Sequence, residues 1–130
     1  MFNKVFGELT FKYGWKTKTE IVLWEEVYEI KVVANAYYEE DGVTVEQEIA
    51  YTTFNDSKQE KQKIIESLLM SYYDDERSES QLHEQLEPKS LVFDRKGGCA
   101  LLFDDEEDPD NGLAVILAPD EEVMTQDEYL

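Results

Sequence analysis

The sequence predicts an α+β domain: an antiparallel sheet of six or seven strands, three N-terminal and three or four C-terminal, with two or three helices from the middle of the chain packed on one face. Three observations carry this expectation. Apolar residues recur at every second position over residues 5–38, and at helical spacing over 58–73. Two short apolar runs, 99–103 and 113–117, then enclose a loop rich in acids. The 130 residues are read as a single domain, 1–130, long enough to bury a core.

Residues 5–13 alternate, with Val5, Gly7, Leu9, Phe11 and Tyr13 on one side and Phe6, Glu8, Thr10 and Lys12 on the other. That pattern predicts a half-buried strand, turned at Tyr13-Gly14-Trp15. A second strand follows over 17–24, where Thr19, Ile21 and Leu23 oppose Lys18, Glu20 and Val22. Glu25-Glu26 is the expected hairpin turn into a third strand over 27–38, whose Tyr28, Ile30, Val32, Ala34, Ala36 and Tyr38 share a face. A strand cannot point both Tyr37 and Tyr38 inward, so one of them is expected outside or under a helix.

The period then changes. Thr44 with Gln47 three residues on is a capping-box signature, and Val45, Ile49 and Phe54 lie near helical spacing, so a short helix is expected over 45–54. Asn55-Asp56-Ser57 breaks it. The stripe Lys61, Ile64, Ile65, Leu68, Leu69, Tyr72 and Tyr73 predicts a longer amphipathic helix from Lys58 to about Tyr73. Residues 74–80 are polar and expected to be exposed, and 80–86 offers one or two further helical turns closed by Pro88. Strands are expected again over 89–94, over 99–103 after a Lys96-Gly97-Gly98 hairpin, and over 113–117, with a short last one at Val123-Met124 before the tail 126–130.

Charge separates the chain into two parts. The net charge is −19, yet residues 1–38 hold five Lys and five acids, so all of the excess falls in 39–130, where 26 acids face 7 bases. From Asp104 onward there are 11 acids and no Lys or Arg. Such a field repels nucleic acid and anionic membranes and speeds encounter with a basic protein, although acidic surfaces also serve plain solubility. No apolar run is long enough to span a bilayer, and a single cysteine makes no internal disulfide, so a cytoplasmic protein is expected.

Catalytic chemistry finds little material. His83 lies in a polar stretch and reads as a surface residue, while Cys99 lies in an apolar strand and reads as core. Asp104, Glu106 and Asp108 have the alternate spacing that opens a calcium loop. Pro109 stands where that loop requires glycine, and Val115 where it requires the bidentate glutamate. A carboxylate pair such as Asp104 and Asp110 has glycosidase character, but pairs are unavoidable among 31 acids. No phosphate-binding glycine loop, zinc spacing or basic aromatic patch is present. No cofactor and no metal are expected.

Several phrases occur together: Gly7-Glu8-Leu9, Glu87-Pro88-Lys89-Ser90-Leu91, Leu101-Leu102-Phe103-Asp104, Asn111-Gly112-Leu113-Ala114-Val115 and the closing Gln126-Asp127-Glu128-Tyr129-Leu130. In them the chain resembles a bacterial family of small acidic domains of unknown function, some members of which occur at contact-dependent toxin and immunity loci. The family's pattern places a tryptophan in the acidic loop and a glycine before the closing Gln-Asp. Here the loop has none, and Thr125 takes the latter place. The resemblance implies no established activity and assigns no catalytic residue.

The resulting expectation is a non-enzymatic acidic protein that binds a basic partner, in the sharpest form an immunity protein that neutralises a nuclease-like toxin domain. The alternative is a housekeeping interaction module or nucleic-acid mimic. Partner contacts are expected from Asp104, Asp105, Glu106, Glu107, Asp108 and Asp110, joined by Glu39, Glu40 and Asp41 or by Asp120, Glu121 and Glu122.

Overall fold

The computed structural model describes residues 1–73 and 78–129. Its elements in order are β1 (Phe2–Asn3), β2 (Gly7–Glu8), β3 (Thr10–Phe11), β4 (Trp15–Leu23), β5 (Glu26–Ala34), a 3-10 turn (Glu39–Asp41), α1 (Val45–Asp56), α2 (Lys58–Tyr72), α3 (Glu79–Gln85), β6 (Leu86–Phe93), β7 (Cys99–Asp105), β8 (Leu113–Ala118), β9 (Glu122–Met124) and α4 (Gln126–Tyr129). β1 and β2 pair with each other. The other seven strands form one sheet whose spatial order is their order in the chain. The class is α+β, as the sequence patterns predict.

The sheet is mostly antiparallel, with one departure. β5 and β6 run parallel, with Lys31 opposite Ser90 and Ala34 opposite Phe93. A parallel pair needs a long crossover, which α1, α2 and α3 supply between these two strands. α2 touches β4 near one edge of the sheet and β8 and β9 at the other. Its 15 residues, at about 1.5 Å each, reach about 22 Å, which matches five strand spacings of about 4.8 Å. The helix thus lies across the sheet, with Ile65 and Leu69 fully buried against it.

The first strand is not the single element that alternation predicts. Phe6 and Leu9 are the buried residues, Tyr13 is 89% exposed, and Gly7 has φ +84°. The Asn3 side chain accepts from the amides of Val5 and Phe6, which turns the chain before β2. The β3–β4 turn is where expected. The β4–β5 turn sits one residue earlier, because Trp24 and Glu25 take the two left-handed conformations (φ 52° and 65°) and Leu23 pairs with Glu26. β5 stops at Ala34, and both Tyr37 and Tyr38 lie outside.

α1 begins with the expected Thr44–Gln47 capping box. Its buried face agrees with the expected one only at Phe54. Val45 and Ile49 are about 60% exposed, whereas Gln47, Tyr51 and Phe54 are buried. The Gln47 amide donates to the carbonyls of Asn35 and Phe93, at 3.0 and 3.1 Å, and so caps the ends of both parallel strands. Those bonds make burial of an amide affordable there, and the ring pair Phe6–Tyr51 fixes the rest of the face.

A second capping box, Ser78 with Gln81, starts α3. Of the exposed polar stretch expected over 74–80, residues 74–77 lie outside the described residues, and Ser78, Glu79 and Ser80 are exposed. Leu130 also lies outside them. Pro88 does not close the helix from a distance. It stands inside β6, next to a register shift between Pro88 and Ser90 that accommodates its missing donor.

The apolar runs 99–103 and 113–117 are neighbouring antiparallel strands, β7 and β8. Leu101, Phe103 and Val115 belong to the main core. Val92, Ala100 and Ala114 are buried outside that cluster, and Val92 pairs with Ala100. Burial on both faces explains why these strands read as continuous rather than alternating runs.

Candidate functional site: an acidic groove at one end of the sheet

Strand β7 runs through Asp104 and Asp105 before it turns, so the loop is shorter than the sequence implies. Glu87 pairs with Asp104, and Leu86 with Asp105. Asp105 is not presented to solvent, being only 6% exposed. Its carboxylate accepts from the Gln85 amide at 2.9 Å, the Glu107 backbone amide at 2.9 Å and the Tyr73 hydroxyl at 3.4 Å. An acid that collects donors in this way organises the loop. Asp105 is therefore withdrawn from the exposed set.

The loop backbone closes tightly. The Glu106 amide donates to the Gln85 carbonyl, the Asp108 amide to the Asp105 carbonyl, and the Gly112 amide to the Asp108 carbonyl. At the return, Gly112 has φ +61°, and a Cβ there would stand 2.6 Å from Gln126 Nε2 and 2.7 Å from the Phe103 carbonyl oxygen. The same Gln126 amide donates to that carbonyl at 2.7 Å. The C-terminal helix thus pins the foot of the loop.

Two adjoining cavities open beside it, of about 410 and 380 Å³. Both are lined by Glu84, Gln85 and Glu106. The first adds Gln81 and Glu107, and the second adds Glu87, Asp104, Asp105 and Pro109. Together they form a groove between α3 and the loop, walled by carboxylates. Lys89 sits at its edge, 3.1 Å from Glu87 and 3.9 Å from Asp104, with both pairs well exposed. Glu84 and Glu87 escape sequence reasoning, because only the β6–β7 register brings them to the loop.

The other two acidic groups expected at the contact surface lie elsewhere. Glu39, Glu40 and Asp41 form the turn beyond the C-terminal end of β5, and Asp120 and Glu121 the turn from β8 into β9, which Glu122 opens opposite Ile116. Both are at the opposite end of the sheet, about 16 Å away along the five residue steps of β8. Asp104, Glu106, Glu107, Asp108 and Asp110 stay together at the groove end. Asp108 accepts from the Asn111 side chain, and Asp110 is exposed.

His83 and Cys99 do not meet. The His83 ring stacks on Trp24 at 5.6 Å and contacts Glu26 beside the groove end, whereas Cys99 starts β7 at the far end. Burial pushes the Cys99 thiol up to about 12. Among the described residues, no group of three or more His, Cys, Asp or Glu is arranged to hold a metal ion. Among them too, no helix is long and apolar enough to cross a membrane.

Comparison with known families places residues 5–94 on the profile described as a domain of unknown function, DUF6985. The chain belongs to this family. The DUF6985 match runs from the N-terminal meander through the helices to the end of β6. It includes Glu84 and Glu87 on one wall of the groove and ends before the acidic loop on the other. It also ends before most of the C-terminal phrases that carry the resemblance drawn from the sequence. No curated protein and no solved structure matches the chain.

Proposed function

We propose that this member of DUF6985 is a non-enzymatic binding protein that receives a basic segment of a partner protein in the groove between α3 and the β7–β8 loop. In its sharpest form it is an immunity protein that neutralises a nuclease-like toxin domain. The observation that carries the reading is the convergence of Glu84, Glu87, Asp104 and Glu106 on one concave surface, with Lys89 at its edge. A cleft lined by one sign of charge focuses its field and draws a partner of opposite sign. Enzymes that act on nucleic acid carry basic clefts, so an inhibitor with this surface fits them in charge. The family resemblance to domains at toxin and immunity loci points the same way, and a cytoplasmic location suits an antidote of this kind.

The test is co-purification of the tagged chain with the protein encoded immediately upstream, followed by a nuclease assay of that protein with and without it. The reading expects one tight complex and loss of nuclease activity. Weak capture of several unrelated basic proteins would favour a general interaction module or nucleic-acid mimic, and no binding by the neighbour would overturn the immunity assignment.

A further inference from the structure

The end of the sheet opposite the acidic groove holds a second concavity with different chemistry. β5 and β6 are the parallel pair, and both deliver the chain to this end. From there β5 leads towards α1, while β6 turns back into β7. In open α/β sheets ligands bind beyond the carboxyl ends of parallel strands where the connections part, and this single parallel pair in a mostly antiparallel sheet leaves a comparable concavity at its ends. Here the crevice is a cavity of about 470 Å³ lined by Tyr13, Asn35, Ala36, Tyr37, Asp94, Arg95 and Lys96. That volume is within the range of small-molecule pockets.

Its floor is fixed. Gln47, fully buried, holds the carbonyls that end both strands. Arg95 donates from Nη1 to the carbonyls of Asn35 and Gly42, at 3.2 and 2.6 Å, and from Nη2 to that of Asp41 at 3.1 Å. These partners are neutral, so they orient the guanidinium without cancelling its charge. Asp94 is held just as firmly, since Oδ1 accepts the amides of Lys96 and Gly98 at 2.9 and 2.8 Å. A carboxylate has further acceptor sites beyond those two. The walls are the rings of Tyr13 and Tyr37, about 90% exposed. Tyr13 is held at φ 57°, a conformation that a bulky aromatic residue rarely adopts.

We infer that this cavity binds a small zwitterion bearing an apolar ring, an α-amino acid. Its carboxylate would face Arg95 and Lys96, its ammonium Asp94, and its side chain the tyrosine rings. Charge selects this class. A simple anion is repelled by a protein of net charge −19, and a simple cation meets Arg95 and Lys96 at the site. A zwitterion satisfies both signs and carries no net charge. The inference stands apart from the groove, from which this cavity is separated by the length of the sheet.

The probe is L-tryptophan, titrated into the full chain and followed by amide shifts in NMR. The controls are N-acetyl-L-tryptophan, tryptamine and indole, which lack the ammonium, the carboxylate and both. L-tryptophan should shift the amides of Asn35, Tyr37 and Lys96 with a Kd of about 1 mM, and each control should bind about tenfold more weakly. Tyr37→Ala and Lys96→Gln alter exposed side chains, and each should weaken binding by about five- to tenfold while the protein stays folded. Equal binding of all four compounds, no shift with L-tryptophan at tens of millimolar, or wild-type affinity in both variants would overturn the assignment.

Discussion

Gln85 Nε2 donates to Asp105 Oδ1 at 2.9 Å with both side chains buried, so the last residue of α3 is fastened to the last residue of β7. The two walls of the acidic groove are thereby held in register. Asp105→Ala removes an acceptor shared by Gln85, Tyr73 and the Glu107 amide, and should destabilise the protein by about 1–3 kcal/mol. Asp104→Ala, one residue earlier and exposed, should change stability by no more than about 0.5 kcal/mol. Urea unfolding midpoints of the two variants check this, and equal losses would show that the Asp105 network is not structural.

Neutralising the groove should act on association and spare folding. In a variant carrying Glu84→Gln, Glu87→Gln, Asp104→Asn and Glu106→Gln, the on-rate for a basic partner should fall at low salt. The difference from wild type should close as ionic strength rises, because screening removes the steering field. The melting temperature should hold or rise slightly, since like charges are being removed. Stopped-flow association at two salt concentrations measures the first, and thermal melts the second. An unchanged low-salt on-rate would leave these acids as a solvated surface.

Gly112 should resist substitution because of what its missing Cβ leaves room for. Gly42 is held by its backbone alone, since φ 59° with ψ −157° is a conformation essentially confined to glycine and a Cβ there meets nothing within 4 Å. At Gly112 (φ +61°) a Cβ collides with the Phe103 carbonyl and the Gln126 amide bonded to it. Gly112→Ala should therefore lower the melting temperature, and by less in a Gln126→Ala background than in the wild type. If the loss is the same in both backgrounds, the Gln126 anchor carries little.

Glu26 gives stability a dependence on acid pH. Its hydrogen bonds to His83 first, and to Tyr28 second, hold the carboxyl below its ordinary 4.5. Because the unfolded chain takes up that proton at higher pH than the folded one, the contribution is present above about pH 4.5. It is lost as pH falls through the lowered folded value. Glu26→Gln should thus melt below wild type at neutral pH and approach it on acidification. A gap that stays constant down to acid pH would mean that the carboxylate charge is not what matters at this site.

Much of the architecture was legible because the signals are local. Alternation with a wet face located β4 and β5, the i, i+3, i+4 stripe located α2, and Thr44 with Gln47 marked the start of α1 to the residue. The same reasoning misjudged the inner face of α1. Val45 and Ile49 are the more apolar choice, but Gln47 can satisfy the ends of two strands, and which face wins depends on carbonyls 12 and 46 residues away. Ser78-x-x-Gln81 was a readable start for α3 by the same capping rule.

What the sequence by itself determined was composition, period and turn chemistry: the α+β class, the order of its elements, and an excess of acid confined to residues beyond 38. Only the tertiary structure decided which of those acids act together. The parallel junction of β5 with β6 and the pairing of Glu87 with Asp104 bring Glu84 and Glu87 to the loop, turn Asp105 inward, and send residues 39–41 and 120–122 to the far end. Period and turn preference arise from neighbours a few residues apart, whereas strand register is set by burial across the whole sheet, and nothing in a run of acids records where its partners will lie.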